Sequence, residues 1–379
     1  MVACQVAHSL FNVPTKIARI RAQSYRQPHW QNLFSREHMP IDVIVSPEAE
    51  VAKAVSMRLS IPGTNFVAPM SGKKAYLCSV ICEDNCPLVN TPIKQISSLF
   101  PDLNFKILTI TNNGKSFIPG PDDQMFMWDE AYFLVDAEHI DRVLSAFGHE
   151  EKEAQNVILV GGGNIGKALL GEFSKKQKDL RIKIIEADAQ QALKLSENYD
   201  DLIVLEADGL DKRVMKEANI AEADVMISVT NDDETNILSS LIALQAGCER
   251  VIPLVNKTIY NELTASLGLG SVISPRAITV SSIMSHVRRG RVKAIHNVAN
   301  SFAEVIEVEV SESCTVMDKS VQDINLPKGV IVAGIIRDEE LIVPDEDSIL
   351  LPNDLVIMLA EREHVQQVEK MFSAQVELF

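Results

Sequence analysis

Residues 161–166 read Gly-Gly-Gly-Asn-Ile-Gly, directly after the apolar run Asn156-Val-Ile-Leu-Val160 and before KALLGEFSKK, a stretch with helical periodicity. A strand, a glycine turn and a helix in that order suit a pyrophosphate. Gly161 permits the tight turn, Gly163 lets a phosphate approach the backbone, and Gly166 lets the helix pack on the sheet. Gly162, Asn164 and Ile165 complete the turn, and the helix start offers free N–H groups and a partial positive charge. A second strand, RIKIIEAD, carries Glu186 twenty positions beyond Gly166. A carboxylate there accepts hydrogen bonds from ribose hydroxyls and repels a 2′-phosphate, which selects NAD over NADP. A third strand, DLIVLEAD, ends at Asp208-Gly209 on the adenine side, and a fourth, ADVMISVT, ends at Thr230-Asn231-Asp232. All of these fall at C-terminal strand ends, where open α/β sheets bind ligands.

The elements around this crevice do not supply a reaction. A dehydrogenase needs a separate domain that brings a proton donor to the nicotinamide. The unit at 154–285 is expected to close after its sixth strand and to be followed by a small β-rich module without such a cluster. No Gly-x-Ser-x-Gly elbow, HExxH helix or GxxxxGK[ST] loop occurs in the sequence. His139 and His364 fall at helix starts in corresponding positions, which suits a structural hydrogen bond. Cys78, Cys82 and Cys86 are evenly spaced, but AYLCSVICEDNCP alternates like a strand entering a turn and no histidine lies nearby, so structural thiols are expected over a zinc site.

Composition narrows the partners. The 379 residues carry a net charge of −16 with 46% hydrophobic and 23% charged residues, a packed protein that repels a phosphate backbone, so no nucleic acid is expected. No apolar run approaches the ~18–20 residues of a membrane span, and the N-terminus lacks the order of a secretory signal. The chain is expected in the cytoplasm. Its one basic cluster, Arg288-Arg289-Gly290-Arg291-Val292-Lys293, reads as a helix end and linker, or as a contact for an acidic surface or lipid headgroups.

Two internal repeats set the architecture. Residues 105–147 lie over 330–372 at a constant offset of 225, pairing Ile110 with Ile335, Asp129 with Asp354 and His139 with His364. Each copy reads as three strands and a short helix. Residues 1–55 resemble 237–283: helix, strand, helix, short strand, then a helix opened by Ser-Pro. The order is A, B, A, B, with about 81 residues of the first A absent by comparison with the second.

VGGGNIG, the strand ending in Glu186, TNDDETN at 230–236 and ISPRAITVSSIMSHVR at 273–288 together resemble the TrkA family, the NAD-binding regulatory subunits of bacterial Trk potassium uptake systems. The resemblance covers the whole chain. It implies an α/β fold of Rossmann-like, parallel-sheet nucleotide-binding domains of the regulator-of-conductance (RCK) type, each followed by a small α+β C-terminal domain. The expected domains are a remnant of the first nucleotide-binding domain at 1–70, its C-terminal domain at 71–150, a complete second nucleotide-binding domain at 154–285 and its C-terminal domain at 294–379. Arg19 matches a position that faces nucleotide in an intact first domain. The resemblance further implies NAD⁺ or NADH, or ATP or ADP, as ligand, with no catalysis. It implies a homo-oligomeric ring, dimer or tetramer, at the inner face of the cell membrane, with a channel subunit of TrkH or TrkG type as partner. The Ser-Pro helices at 46–58 and 274–288 are expected to be shared or swapped in the ring. An NAD-dependent oxidoreductase of small substrates is the alternative.

Overall fold

The computed structural model describes residues 1–20, 25, 28–35, 38–176, 180–270, 272–287 and 292–372. The chain opens with α1 (Val2–Phe11), β1 (Ile17–Arg19), β2 (Val43–Val45) and α2 (Pro47–Ser60). Next come β3 (Phe66–Met70), β4 (Ala75–Ile81), α3 (Ile93–Leu99), β5 (Phe105–Asn112), β6 (Lys115–Phe117), β7 (Glu130–Asp136) and α4 (Ile140–Ala146). The nucleotide-type stretch runs β8 (Asn156–Val160), α5 (Asn164–Lys176), β9 (Arg181–Glu186), α6 (Ala189–Asn198), β10 (Ile203–Glu206) and α7 (Lys212–Glu217). It continues with β11 (Val225–Ser228), α8 (Asp233–Gln245), β12 (Arg250–Pro253), α9 (Asn261–Ser266) and α10 (Pro275–Val287). β13 (Val292–Val298), β14 (Ala303–Glu309), β15 (Val330–Arg337), β16 (Glu340–Ile342), β17 (Leu355–Glu361) and α11 (Val365–Met371) complete it. Two compact units result, one from Met1–Ser60 with Lys152–Ile283, the other from Ile61–Glu151 with Met284–Phe379.

The first unit holds a five-stranded, wholly parallel sheet in the order β10-β9-β8-β11-β12. Side chains on a strand alternate between faces, so a strand covered on both sides must be apolar throughout. β8 shows why: Val157 and Leu159 enter one core, Ile158 and Val160 the other. Met215 of α7 and Ile237 and Ala243 of α8 cover one face. On the other face Val51, Ala52, Val55 and Leu59 of α2 join Leu169 and Phe173 of α5 in one cluster. The Ser-Pro helix of the first repeat thus packs on the sheet of the second. Burying a Val or Leu is worth about 1.5–3 kcal/mol, so a charge at Val55 would break this seam.

The sixth strand expected to close the sheet is reduced to a single parallel bridge, Leu254 with Ile273. Ser274 follows at once and its hydroxyl accepts from Ala277 N at 3.3 Å, turning the chain into α10 with Pro275 as the first helical residue. Its counterpart in the first repeat remains a strand, with β2 pairing parallel to β1.

The second unit carries two antiparallel sheets of one topology, β3-β4-β7-β5-β6 and β13-β14-β17-β15-β16. Each has a bulge at the same place, between Ile107 and Thr109 and between Val332 and Gly334. The three strands and helix expected from the repeat are present in both copies. A further hairpin precedes them: β3 pairs with β4 and β13 with β14, so the first sheet begins before residue 71 and the second before 294. Leu77, Leu108 and Leu134 of the first module share a core with Val305, Ile357 and Leu359 of the second.

Cys78 lies on β4 and Cys82 and Cys86 in the following turn, all buried. His139 precedes α4, but its Nδ1 accepts from Asn104 N at 3.0 Å, tying the start of β5 and not the helix start. Of the basic cluster, residues 288–291 lie outside the described residues; Lys293 pairs with Glu309 at 2.8 Å. Among the described residues no helix is long and apolar enough to cross a membrane.

Candidate nucleotide-binding site

In the strand order β10-β9-β8-β11-β12 the chain leaves β8 and β11 towards opposite sides, which opens a crevice beyond their C-terminal ends. Gly161 occupies that point. Its N–H donates to the Ile185 carbonyl at 2.9 Å, and its φ of +102° is one that L side chains avoid. A Cβ on Gly161 would stand 3.0 Å from Thr230 N, so the ends of β8 and β11 abut. A Cβ on Gly166 would stand 2.3 Å from the Gly161 carbonyl. It would also stand 3.6 Å from Leu159 Cδ2 of β8, so the bare backbone at Gly166 lets α5 approach both the loop and the sheet. A Cβ on Gly163 would meet nothing within 4 Å, so that stretch of backbone is open to a ligand at the start of α5, where Asn164 and Ile165 follow.

Glu186 closes β9. Its Oε2 accepts from Gly162 N at 2.6 Å and its Oε1 from Asp188 N at 2.9 Å. The carboxylate expected to meet a ribose also anchors the glycine loop, and each oxygen keeps a lone pair for a further donor. Gln191 clamps the other side, its Nε2 donating to the Gly162 carbonyl at 2.8 Å while Lys167 Nζ donates to Gln191 Oε1 at 3.2 Å. Reading the sequence did not single out Gln191. Its signal is a capping pair, Asp188 accepting from Gln191 N at 2.8 Å three residues on, with the glutamine turned to the loop.

Asp208 is exposed and accepts from Leu210 N at 2.9 Å. Gly209 is buried against β8, where a Cβ would lie 2.5 Å from Val160 Cγ1. Asn231 is exposed, whereas Thr230 and Asp232 shape the turn. Asp232 caps α8 through Thr235 N at 2.7 Å. Asn236, fully buried, accepts from Thr230 N and Oγ1 at 2.9 and 2.7 Å and donates to the Leu254 carbonyl at 2.9 Å. Asp233, also buried, holds Asn256 N and Lys257 N at 3.0 and 2.9 Å. The buried face of α8 also carries Asp233, Ser239 and Ser240, and polar residues recurring at helical spacing are the signal for Asn236. Beside it Glu234 accepts from Lys257 Nζ at 2.8 Å and from Tyr260, and these bonds hold its carboxyl down to about 2. Arg19 sits apart from this crevice's sheet, exposed at the end of β1 on the two-stranded sheet.

The arrangement offers backbone and helix-end donors for an anion and one carboxylate for a diol. Most other polar side chains hold loops.

Residues 157–275 match the family described as TrkA-N domain and residues 305–373 the TrkA-C domain. A Trk system potassium uptake protein TrkA from Azorhizobium caulinodans is 41% identical over 379 residues, spanning 100% of this chain and 83% of that relative. The chain belongs to the TrkA family. A second TrkA, from Halomonas elongata, is 32% identical over 100% of this chain and 83% of its own length. The fold of this TrkA-family chain is shared with the GsuK RCK domain, at a TM-score of 0.52 and 16% identity over 94% of this chain and 75% of that one. The GsuK channel bound to NAD superposes with a TM-score of 0.50 at 15% identity, over 94% and 62% of the two chains. The TrkA-C match covers only the second small module, yet β3 to α4 of this TrkA-family chain repeats its topology.

Proposed function

We propose that this chain is a nucleotide-sensing regulatory subunit of a Trk-type potassium uptake system and not an enzyme. Nucleotide lies along Gly161–Gly166, its pyrophosphate at Gly163 and the start of α5, its adenosine ribose at Glu186, its adenine between Asp208-Gly209 and Thr230–Asp232. The ligand is NAD⁺ or NADH, with ATP or ADP able to use the same phosphate cradle. The observation that carries this reading is Gly163, whose open backbone stands beside a loop already gripped by Glu186 and Gln191. Binding shifts the protein between two arrangements; a preference of ~1.4 kcal/mol for one of them moves the equilibrium tenfold. A homo-oligomeric ring on the cytoplasmic face of the membrane passes that shift to a channel subunit of TrkH or TrkG type.

Calorimetric titration of the purified chain with NADH, NADPH, ATP and ADP tests the site. NADH should bind about tenfold or more tightly than NADPH, because Glu186 meets a 2′-phosphate with like charge. Glu186→Ala should weaken NADH and narrow that ratio, and Gly163→Val should abolish binding. Equal affinity for NADH and NADPH would sink the ribose assignment, and turnover of NADH with small carbonyl compounds would sink the non-catalytic reading.

A further inference from the structure

The duplicated module provides an internal control for a cleft in its first copy. In the second copy Asp354 is 2% exposed and lies beneath Arg337, which donates through Nε to Oδ1 at 2.9 Å and through Nη2 to Oδ2 at 2.7 Å. Nη2 also reaches the Ile349 carbonyl at 2.8 Å, and Leu351 N donates to Oδ2 at 2.8 Å. Moving back 225 positions gives Asp129, Asn112, Gln124 and Phe126. Asp129 is equally buried at 2%, and Phe126 N donates to its Oδ2 at 2.8 Å as Leu351 does for Asp354. The difference is residue 112. Asn112 makes one side-chain bond to the carboxylate, Nδ2 to Oδ1 at 2.5 Å, where the arginine makes two. Around the shorter side chain lies a cleft of about 460 Å³, lined by Asn112, Lys115, Phe117, Gln124, Phe126 and Asp129.

A second observation marks the rim. Phe126, Met127 and Trp128 are 51%, 51% and 64% exposed, and Phe117 is 37% exposed beside them. Trp128 holds φ at 72°, where its counterpart Asn353 holds 70°. Asparagine visits that left-handed region readily and tryptophan seldom does, so a bulky ring is presented to solvent on a backbone made for a small polar residue.

We propose that this cleft binds the guanidinium of an arginine side chain presented by a protein partner. A buried carboxylate takes the planar guanidinium fork in two parallel bonds, as Asp354 does within the chain, and Asn112 yields its place to it. Phe117 and Phe126 line the cleft, where aromatic rings can attract the cation. Exposed aromatic residues around a buried charge form the surface on which an arginine anchor from another protein is desolvated, a setting a free small cation does not need. The chain's net charge of −16 draws such a partner in. Lys115 is the one like charge lining the cleft, and its exposed side chain can turn to solvent.

The test uses the full chain with Trp30→Phe, leaving Trp128 as the fluorophore, titrated with acetyl-Leu-Arg-Leu-amide, its lysine analogue and agmatine. The arginine peptide should give a saturable change in fluorescence, with the lysine peptide and agmatine at least tenfold weaker. Asn112→Arg refills the cleft from within, as Arg337 does in the twin, and should keep or raise Tm while removing peptide binding. Asp129→Asn should weaken binding at least tenfold. Lysine binding as tight as arginine would overturn the proposal, and so would undiminished binding by Asn112→Arg. Agmatine as tight as the peptide would overturn the protein partner.

Discussion

The two small modules of the second unit share strand order, bulge and buried aspartate, yet one secures its aspartate with a guanidinium and the other with an amide. Their chemistry diverges elsewhere too. Cys86 has its counterpart in Cys314, but Cys82 stands where the second module has Val310; likewise Ala68 stands opposite His296. The connection from β4 to β5 is three residues longer than that from β14 to β15, and it forms α3 where the second has only a short 3-10 turn. Strand pairing and apolar alternation hold a topology against many side-chain changes, whereas each buried polar group must have its own partner satisfied. A duplicated module can therefore keep its frame and alter its polar clusters one at a time.

The largest effect should come from the two aspartates. Asp354→Ala removes both bonds from Arg337 to a buried carboxylate and should cost about 3 kcal/mol, since the guanidinium left behind is partly exposed and still near Asp338. Asp129→Ala leaves an amide and a backbone N–H, and about 1–3 kcal/mol is expected. Urea unfolding of both variants measures this, and equal losses would break the contrast.

A smaller effect separates the modules by pH. Burial pushes the His296 imidazole down to about 4 from an ordinary 6.5, against the edge of Phe66. The unfolded chain therefore takes up this proton first, so stability is lost as pH falls from 6.5 to about 4 and the loss levels off below. His296→Leu should flatten that slope by on the order of 1 kcal/mol, seen as the difference in Tm between pH 7 and pH 4. A slope as steep as that of the parent chain would show the histidine to be solvated.

The smallest effect concerns the thiols. The neighbouring Cys82 lowers the Cys86 thiol below its ordinary value, helped by the N–H groups of Leu88 and Val89. Thiolate absorbance should rise with a midpoint below that of an ordinary thiol, and Cys82→Val, copying Val310, should move the midpoint upward. An unmoved midpoint would assign the shift to the backbone alone.

Much of this frame was legible beforehand. The glycine spacing, the strand ending in Glu186 and the 225-residue offset stand in the sequence as local patterns, because turns and alternating strands are local. Of the hairpin β3–β4 only the strand AYLCSVI shows in the sequence; its match to β13–β14 lies at an offset of 228, and the longer connection breaks the register of the repeat. Nor does any pattern in residues 47–60 name α5 as their partner; an apolar face states that it is covered and not by what. The grip of Gln191 on Gly162 and of Asn236 on Thr230 escaped for the same reason, since a side-chain bond between distant elements leaves no period behind it. The sixth strand failed at a boundary, shrinking to one bridge where Ser274 starts the helix.

The seam between α2 and α5 also sets a clock. Residues 47–60 find their cover only once residues 164–176 have been made, and at roughly 5–20 residues per second that interval lasts on the order of 10 s during synthesis. Through that time Val51, Val55 and Leu59 have no second surface to meet, while the intervening module can already be collapsing. High sequence separation between the two halves of one core is the condition under which folding slows and nascent chains associate wrongly. Residues 47–60 are therefore finished by residues 164–176, and the interval between them is a time in which this apolar face can meet other chains.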